Sequence, residues 1–381
     1  MPSLSRTRLL RGLLVSCALC ALFAGCGGGA DSASTPLAPA AGRPGVLSLT
    51  SSPRSEPPAT NPARQLSLQA EAASLAYGIG ARGHIVTHTW REFEPASPGL
   101  DPDVASEIQL ALDAARAGSL TLYLGIAVVN TSVKELPLDL AGRAFDDPVV
   151  RVRFHALLDR LVGANPGRFR YLSIGNEVDE YLSAHPGEQA AYRAFYRDAA
   201  QYARSLDPAL QVGVTGTAEG ALGSHAASLQ DLISAGSDVV MLNYYPMQGD
   251  ATGLASVREP SVVASDFAGM LAFAGARPLL MQEVGYPAST VLNSSEAKQA
   301  AFVSQVFAAW KASNGRIPFL NVFLLHDLAP QTCDDLLVYY GLSLSHNYGA
   351  FLCSLGLRRA DGTPRLAWQT LSDEARLAHL P

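Results

Sequence analysis

Tryptophan, cysteine and clustered positive charge are all scarce in this chain, and each scarcity removes a class of function. Of 381 residues, 5 are Cys and 3 are Trp, and the formal net charge is −6. Arg and Lys form no run, and a mildly acidic chain disfavours polyanions, so nucleic acid is not an expected partner. No cysteine-rich pattern offers a metal site. The stretch "HIVTH", residues 84–88, has a spacing that suits a metal on a helix. It reads as a strand, where four residues span roughly 13 Å, too far for His84 and His88 to share one ion. A Gly-x-Ser-x-Gly elbow is absent, which removes the usual serine-hydrolase signature. No glycine-rich phosphate loop follows the early strands, and no cofactor is expected.

What is present is apolar periodicity. The chain is 48% hydrophobic, enough for one large domain of about 250–330 residues. From residue 46, β-rich runs alternate with stretches of helical period. Strands are expected at 46–50, 84–89, 120–129, 170–175, 211–215, 238–243, 278–282 and 320–325. Helices are expected near 63–76, 102–117, 147–164, 187–205, 225–235, 261–275, 295–313 and 364–378. Most of these strands are continuous apolar runs, as buried parallel strands require. Eight strands in strict alternation with eight helices predict a single (β/α)₈ TIM barrel over residues 46–381. The alternative is an open doubly wound sheet, should the run at 46–50 not pair.

The N-terminus reads as an export segment. Arg6, Arg8 and Arg11 precede an apolar stretch from Leu13 to Phe23, too short to span a bilayer. The ending "LFAGC" resembles a bacterial lipobox, although Phe23 stands where that pattern prefers Leu. The resemblance implies cleavage after residue 25, a lipid on Cys26, and an anchor in the cell envelope. Gly27 after Cys26 leans towards the outer membrane. The alternative is an ordinary signal peptide. Residues 26–45, rich in Gly, Ala, Ser and Pro, read as a flexible tether. Cys17 and Cys20 leave with the signal, so Cys333 and Cys353 remain as an even pair in an oxidising compartment. A disulfide between them is expected, closing a loop of about 20 residues and contributing roughly 3 kcal/mol.

In a barrel, reactive groups sit where strands end. Strand two runs into "HTWREFEP" (88–95), strand three ends at Asn130-Thr131, and strand four at Asn176-Glu177. Strand six ends in "NYYP" (243–246), strand seven in "QEVGYP" (282–287), and strand eight at His326-Asp327. Two strands on opposite sides of the mouth, four and seven, thus each deliver a glutamate. A pair of carboxylates over one cleft suits glycosidic hydrolysis, one as protonated acid and one as ionised nucleophile.

These residues carry a resemblance. "IGNEV" at strand four and "QEVGYP" at strand seven resemble clan A of the retaining glycoside hydrolases. "NYYP" and "WREFEP" are similar to its endo-β-galactanase and β-galactosidase branches. "GLRRADGTPRLAW", residues 356–368, resembles the entry into the last helix of such barrels. The resemblance spans most of residues 46–378. It implies a retaining β-glycosidase with Glu177 as acid/base and Glu283 as nucleophile, their carboxyls about 5–5.5 Å apart.

Six residues are candidate carbohydrate contacts. Asn176 would donate to a sugar 2-hydroxyl, or else cap the strand-end turn. Tyr245, with Tyr244 as rival, would hold Glu283 ionised. Trp90 would be the aromatic platform, the other two Trp lying on outer helices, and His88 would line the floor. His326 stands where the clan usually bears a Trp. Tyr286, Tyr339 and Tyr340 lie in rim loops. Asp179 and Glu180 read as loop charges. Two other readings use the same chain: a carbohydrate-binding surface lipoprotein without turnover, and an envelope transglycosylase. A monomer is expected.

Overall fold

The computed structural model describes residues 45–56, 61–95, 98–250, 253–378 and 380. The export segment, Cys26 and nearly all of the tether lie outside the described residues. Eight parallel strands form the ring: β1 (Val46–Leu49), β2 (Gly83–Thr89), β3 (Thr121–Asn130), β4 (Phe169–Asn176), β5, β6 (Val240–Tyr244), β7 (Leu279–Val284) and β8 (Phe319–Val322). β5 comes in two pieces, Gln211–Gly213 and Thr215–Thr217. The first piece pairs with β4 and the second with β6, so the two ends of the pairing order meet in one strand. β1 pairs with both β8 and β2, which rules out the open-sheet alternative.

Eight helices follow the strands: α1 (Pro62–Gly78), α2 (Pro102–Gly118), α3 (Pro148–Leu158), α4 (Gln189–Leu206), α5 (Ala226–Gly236), α6 (Val263–Ala274), α7 (Glu296–Ala312) and α8 (Leu366–Leu377). Their starts are written in the sequence. Asn61, Asp101 and Asp147 each cap a helix that opens with Pro, where the missing N–H costs nothing. The main core fills the layer between strands and helices. A smaller one fills the barrel floor with Tyr123, Tyr171, Met241, Leu280 and Phe319.

A third core stands apart from both. After β8 the chain forms two short helices, Pro330–Tyr339 and Asn347–Leu352, before reaching α8. Leu336, Phe351, Leu352 and Leu355 pack there with Leu292 and Tyr245. Cys333 and Cys353 are joined by a disulfide with Cα atoms 5.9 Å apart, as expected. Strand eight is shorter than its apolar run suggested, ending at Val322 rather than residue 325.

Candidate active site

Strand parity decides which side chains reach the mouth. Just above the floor lies a polar layer. Tyr123 and Thr215 donate hydroxyl hydrogens to Gln282 Oε1 at 2.5 and 2.6 Å, and Ser173 pairs with Thr215 at 2.7 Å. One layer higher, Gln282 Nε2 and Asn243 Nδ2 donate to Asn176 Oδ1 at 2.7 and 3.1 Å. Asn176 Nδ2 donates to Asn130 Oδ1 at 3.0 Å. Asn176 is thus fixed from three sides.

The backbone around it is unusual. Glu177 has φ 50° and Thr131 φ 51°, left-handed values that a non-glycine residue adopts at a cost. Gly175, at φ 101°, lies two residues before Glu177, and a Cβ there would collide with the Tyr192 hydroxyl. The two strained residues hold each other. Thr131 N–H donates to Asn176 O at 3.0 Å, and Thr131 Oγ1 donates to Glu177 Oε2 at 2.7 Å. Asn243 Nδ2 donates to the other oxygen, Oε1, at 3.0 Å.

Asn243 is also the register partner of Glu283 on β7, so one amide stands between the two glutamates. Tyr245 donates to Glu283 Oε2 at 2.6 Å. Tyr244 points the other way. It donates to Asp266 and packs between Phe267 and Phe302 in the helix layer. Tyr245, not its rival Tyr244, is therefore the tyrosine on Glu283.

Burial raises the Glu177 carboxyl, with Asp179 and Glu180 adding to it; Thr131 and Asn243 oppose the shift. Burial, then the charge of Glu177, pushes Glu283 up to about 7, against the hydrogen bonds of Tyr245 and Gln282. The two carboxyls titrate as a pair, because each charge resists the other. A third carboxyl, Glu219 after β5, is pushed to about 8, chiefly by burial, and Glu177 contributes.

Several expected contacts lie elsewhere. His84, Val86 and His88 do share one face, but it is the outer one; their neighbour Ile85 packs on the barrel floor. His88 Nε2 meets Glu107 Oε2 at 3.0 Å. Burial disfavours its charge, yet Glu107 and Glu92 outweigh this and raise it to about 9. It is a buried ion pair rather than part of a site floor. Trp90 is 0% exposed, with its indole N–H on Glu94 and its ring against Phe154 and Phe195. No ring face is open to stack on a sugar.

His326 is also enclosed, its Nδ1 on Ser52 O at 2.7 Å and its Nε2 accepting from Arg358 at 3.2 Å. Because β8 ends early, the aromatic that follows it beside the site is Phe323, packed edge-on to Tyr245. Tyr286 is a core residue donating to Arg258 O. Asp179 is not a loop charge. It is buried, and its oxygens accept from Thr217 N, Thr217 Oγ1 and His225. Asp179, Glu180 and His225 lie close enough to share an ion, but Thr217 and His225 already take both Asp179 oxygens.

Asn243, Gln282 and Thr131 carry no role in the sequence reading. Gln282 alone adjoins a strand-end glutamate in the sequence; Thr131 and Asn243 reach Glu177 only across strands.

No family model matches the chain, and no curated protein does. Solved structures do. A GH5_18 protein from Streptomyces cattleya, in complex with GlcNAc, is 18% identical with a TM-score of 0.65, over 89% of this chain and 81% of that one. A GH5_18 variant from Bifidobacterium longum subsp. longum, in complex with Manb1-4GlcNAc, is 16% identical with a TM-score of 0.64, over 87% and 78%. The exo-beta-1,4-mannosidase Op5Man5 from an Opitutaceae bacterium is 16% identical with a TM-score of 0.62, over 87% and 59%. At such identities the likeness concerns the fold, and this chain shares the (β/α)₈ barrel of those glycoside hydrolases.

Proposed function

We propose that this protein is a retaining β-glycosidase. The observation that carries the reading is the pair Glu177 and Glu283, both half-buried, both raised, and separated by an amide that bonds one and registers with the other. Glu177, as the acid, protonates the leaving oxygen while Glu283 attacks the anomeric carbon. Water, deprotonated by Glu177, then releases the sugar from Glu283. Tyr245 donates to Glu283 and favours its charged form when the proton resides on Glu177. Asn176 has two amide hydrogens, and one is drawn to Asn130, leaving the other for a sugar hydroxyl.

The neighbours in fold support β-mannosides as the first substrates to try, since their names carry Manb1-4GlcNAc and exo-beta-1,4-mannosidase. The galactanase and galactosidase branches that "NYYP" and "WREFEP" resemble supply the second substrates to try, although Trp90–Phe93 forms a buried helical turn and offers no sugar platform. Export and anchoring through a lipid on Cys26 belong to the same proposal and would place the enzyme in the cell envelope.

Incubation with 2-fluoro β-glycosides, followed by peptide mass mapping, tests the mechanism. A label on Glu283 is expected; saturable glycan binding without any label would favour a binder. Azide should restore turnover of Glu177→Ala on substrates with activated leaving groups, where the acid is dispensable. Equal loss on all substrates counts against that role.

A further inference from the structure

The segment between β8 and α8 spans the barrel mouth. Tyr339, at the end of its first helix, accepts from Asn130 Nδ2 at 3.2 Å and donates to Glu135 Oε1 at 2.7 Å. Asn130 ends β3, and Glu135 follows it. In the ring, β8 neighbours β1, which neighbours β2, which neighbours β3. The segment therefore bridges the mouth, packing on Tyr245 and Leu292 after β6 and β7 and reaching the end of β3 through Tyr339.

Aromatic rings line it without a gap. Tyr339 meets Tyr340 at 4.9 Å between centroids, Tyr340 meets Tyr348 at 5.8 Å, and Tyr348 stacks on Phe351 at 5.1 Å. Phe351 in turn meets Tyr245 at 5.2 Å, whose hydroxyl is on Glu283. The series starts at the partner of Glu283 and ends on Asn130, the partner of Asn176. Tyr340 and Tyr348 are half-buried, so each keeps some open surface. Burial raises both phenols, and the charges of Glu177 and Glu283 add to it, which places both hydroxyls within the field of the two carboxylates.

We infer that this disulfide-held segment is the wall of the sugar pocket, and that Tyr340 and Tyr348 select the terminal residue of a β-linked chain. The inference rests on the glycosidase reading and extends it. A wall from the β6 and β7 loops to the end of β3 blocks one end of the cleft, so a chain enters by its end and not by its middle. Aromatic rings suit the apolar faces of a pyranose, and neutral phenols suit its hydroxyls. Neither glutamate has an ion pair among the described residues, so a uronic acid would add its carboxylate to a pair that no cation offsets. The expected occupant is a neutral sugar. The concavity of about 290 Å³ on this segment, lined by Cys333, Asp334, Leu344 and Cys353 among others, shares no residue with the pocket.

The test uses 4-nitrophenyl β-glycosides of mannose, glucose, galactose and glucuronic acid, with β-1,4-mannotetraose as the oligosaccharide. Wild type should release single sugars and spare the glucuronide. Tyr348→Ala and the double variant Cys333→Ser/Cys353→Ser should raise KM at least about tenfold with kcat changed less than about threefold. Internal cleavage products should appear from mannotetraose. Tyr340→Phe and Tyr348→Phe keep the ring and serve where the others fail to fold; each should raise KM severalfold. Variants that fold and keep both KM and the product pattern, beside a wild type labelled at Glu283, overturn the wall alone. Unlabelled wild type that binds mannotetraose in calorimetry, with Tyr348→Ala binding tenfold weaker, keeps the wall and removes hydrolysis. Wild type that is neither labelled nor binds any probe overturns both.

Discussion

Carboxylates are buried in two regions of this molecule, and they are treated differently. In the layer outside the strands, Glu94, Asp266, Asp327 and Glu107 each meet a cation. Glu94, 0% exposed, takes Arg153 at 3.0 Å and Arg160 at 2.7 Å. Asp266 takes Arg258, Asp327 takes Arg365, and Glu107 takes His88. At the mouth, Glu177 and Glu283 have hydroxyls and amides and no ion pair among the described residues. These outer carboxylates hold the fold together; the inner pair is held in place at a cost. Protein interiors tolerate an unpaired carboxyl only by keeping a proton on it, and such a proton is what acid catalysis needs.

The sharpest way to break this contrast is Glu283→Gln. On the proposed function, turnover should fall by on the order of 10⁴ or more. Stability should move the opposite way. A carboxyl raised above its unfolded value contributes stability below about pH 4.5, which is lost as pH rises through about 7. At pH 8 the variant should melt a few degrees above wild type, and the gain should vanish by pH 4, as measured by calorimetry.

The outer layer should respond in the reverse sense. Glu94→Gln leaves Arg153 with Asp139 alone and the partly exposed Arg160 without its carboxylate, and should cost about 1–3 kcal/mol in denaturant unfolding. If both variants shifted stability the same way, the contrast would be wrong.

The smallest effect concerns Thr131→Ala. It removes a donor that lowers Glu177, so the carboxyl should rise further. The alkaline limb of the kcat/KM profile should move up by roughly half a unit to one unit, with kcat falling about tenfold.

How much of this was legible in the sequence follows from periodicity. Eight apolar runs between eight amphipathic ones specify the barrel, because strands covered on both sides show as continuous hydrophobic stretches. The same continuity hides the parity. In 84–89 one face is buried and the other half-buried, and His and Thr alternate with no clear apolar face, so the grouping of His88 with His84 and Val86 is readable and the direction they face is not. Trp90 goes with that face, since it opens a helical turn that continues the outer layer. The end of β8 is obscured for a related reason. Residues 323–325 are as apolar as the strand, yet Leu324 packs in the small core of the segment beyond it. Asn243 and Gln282 needed three dimensions, because their partners lie on other strands.

That small core has a consequence of its own. Tyr245 packs in it and also bonds Glu283, and a covalent link ties its two helices together. On the proposed function, recognition and reaction would thus be carried by pieces that pack separately. Exchanging residues 330–354 for another cassette of similar reach should then alter which glycan is admitted while leaving the two glutamates on their own strands.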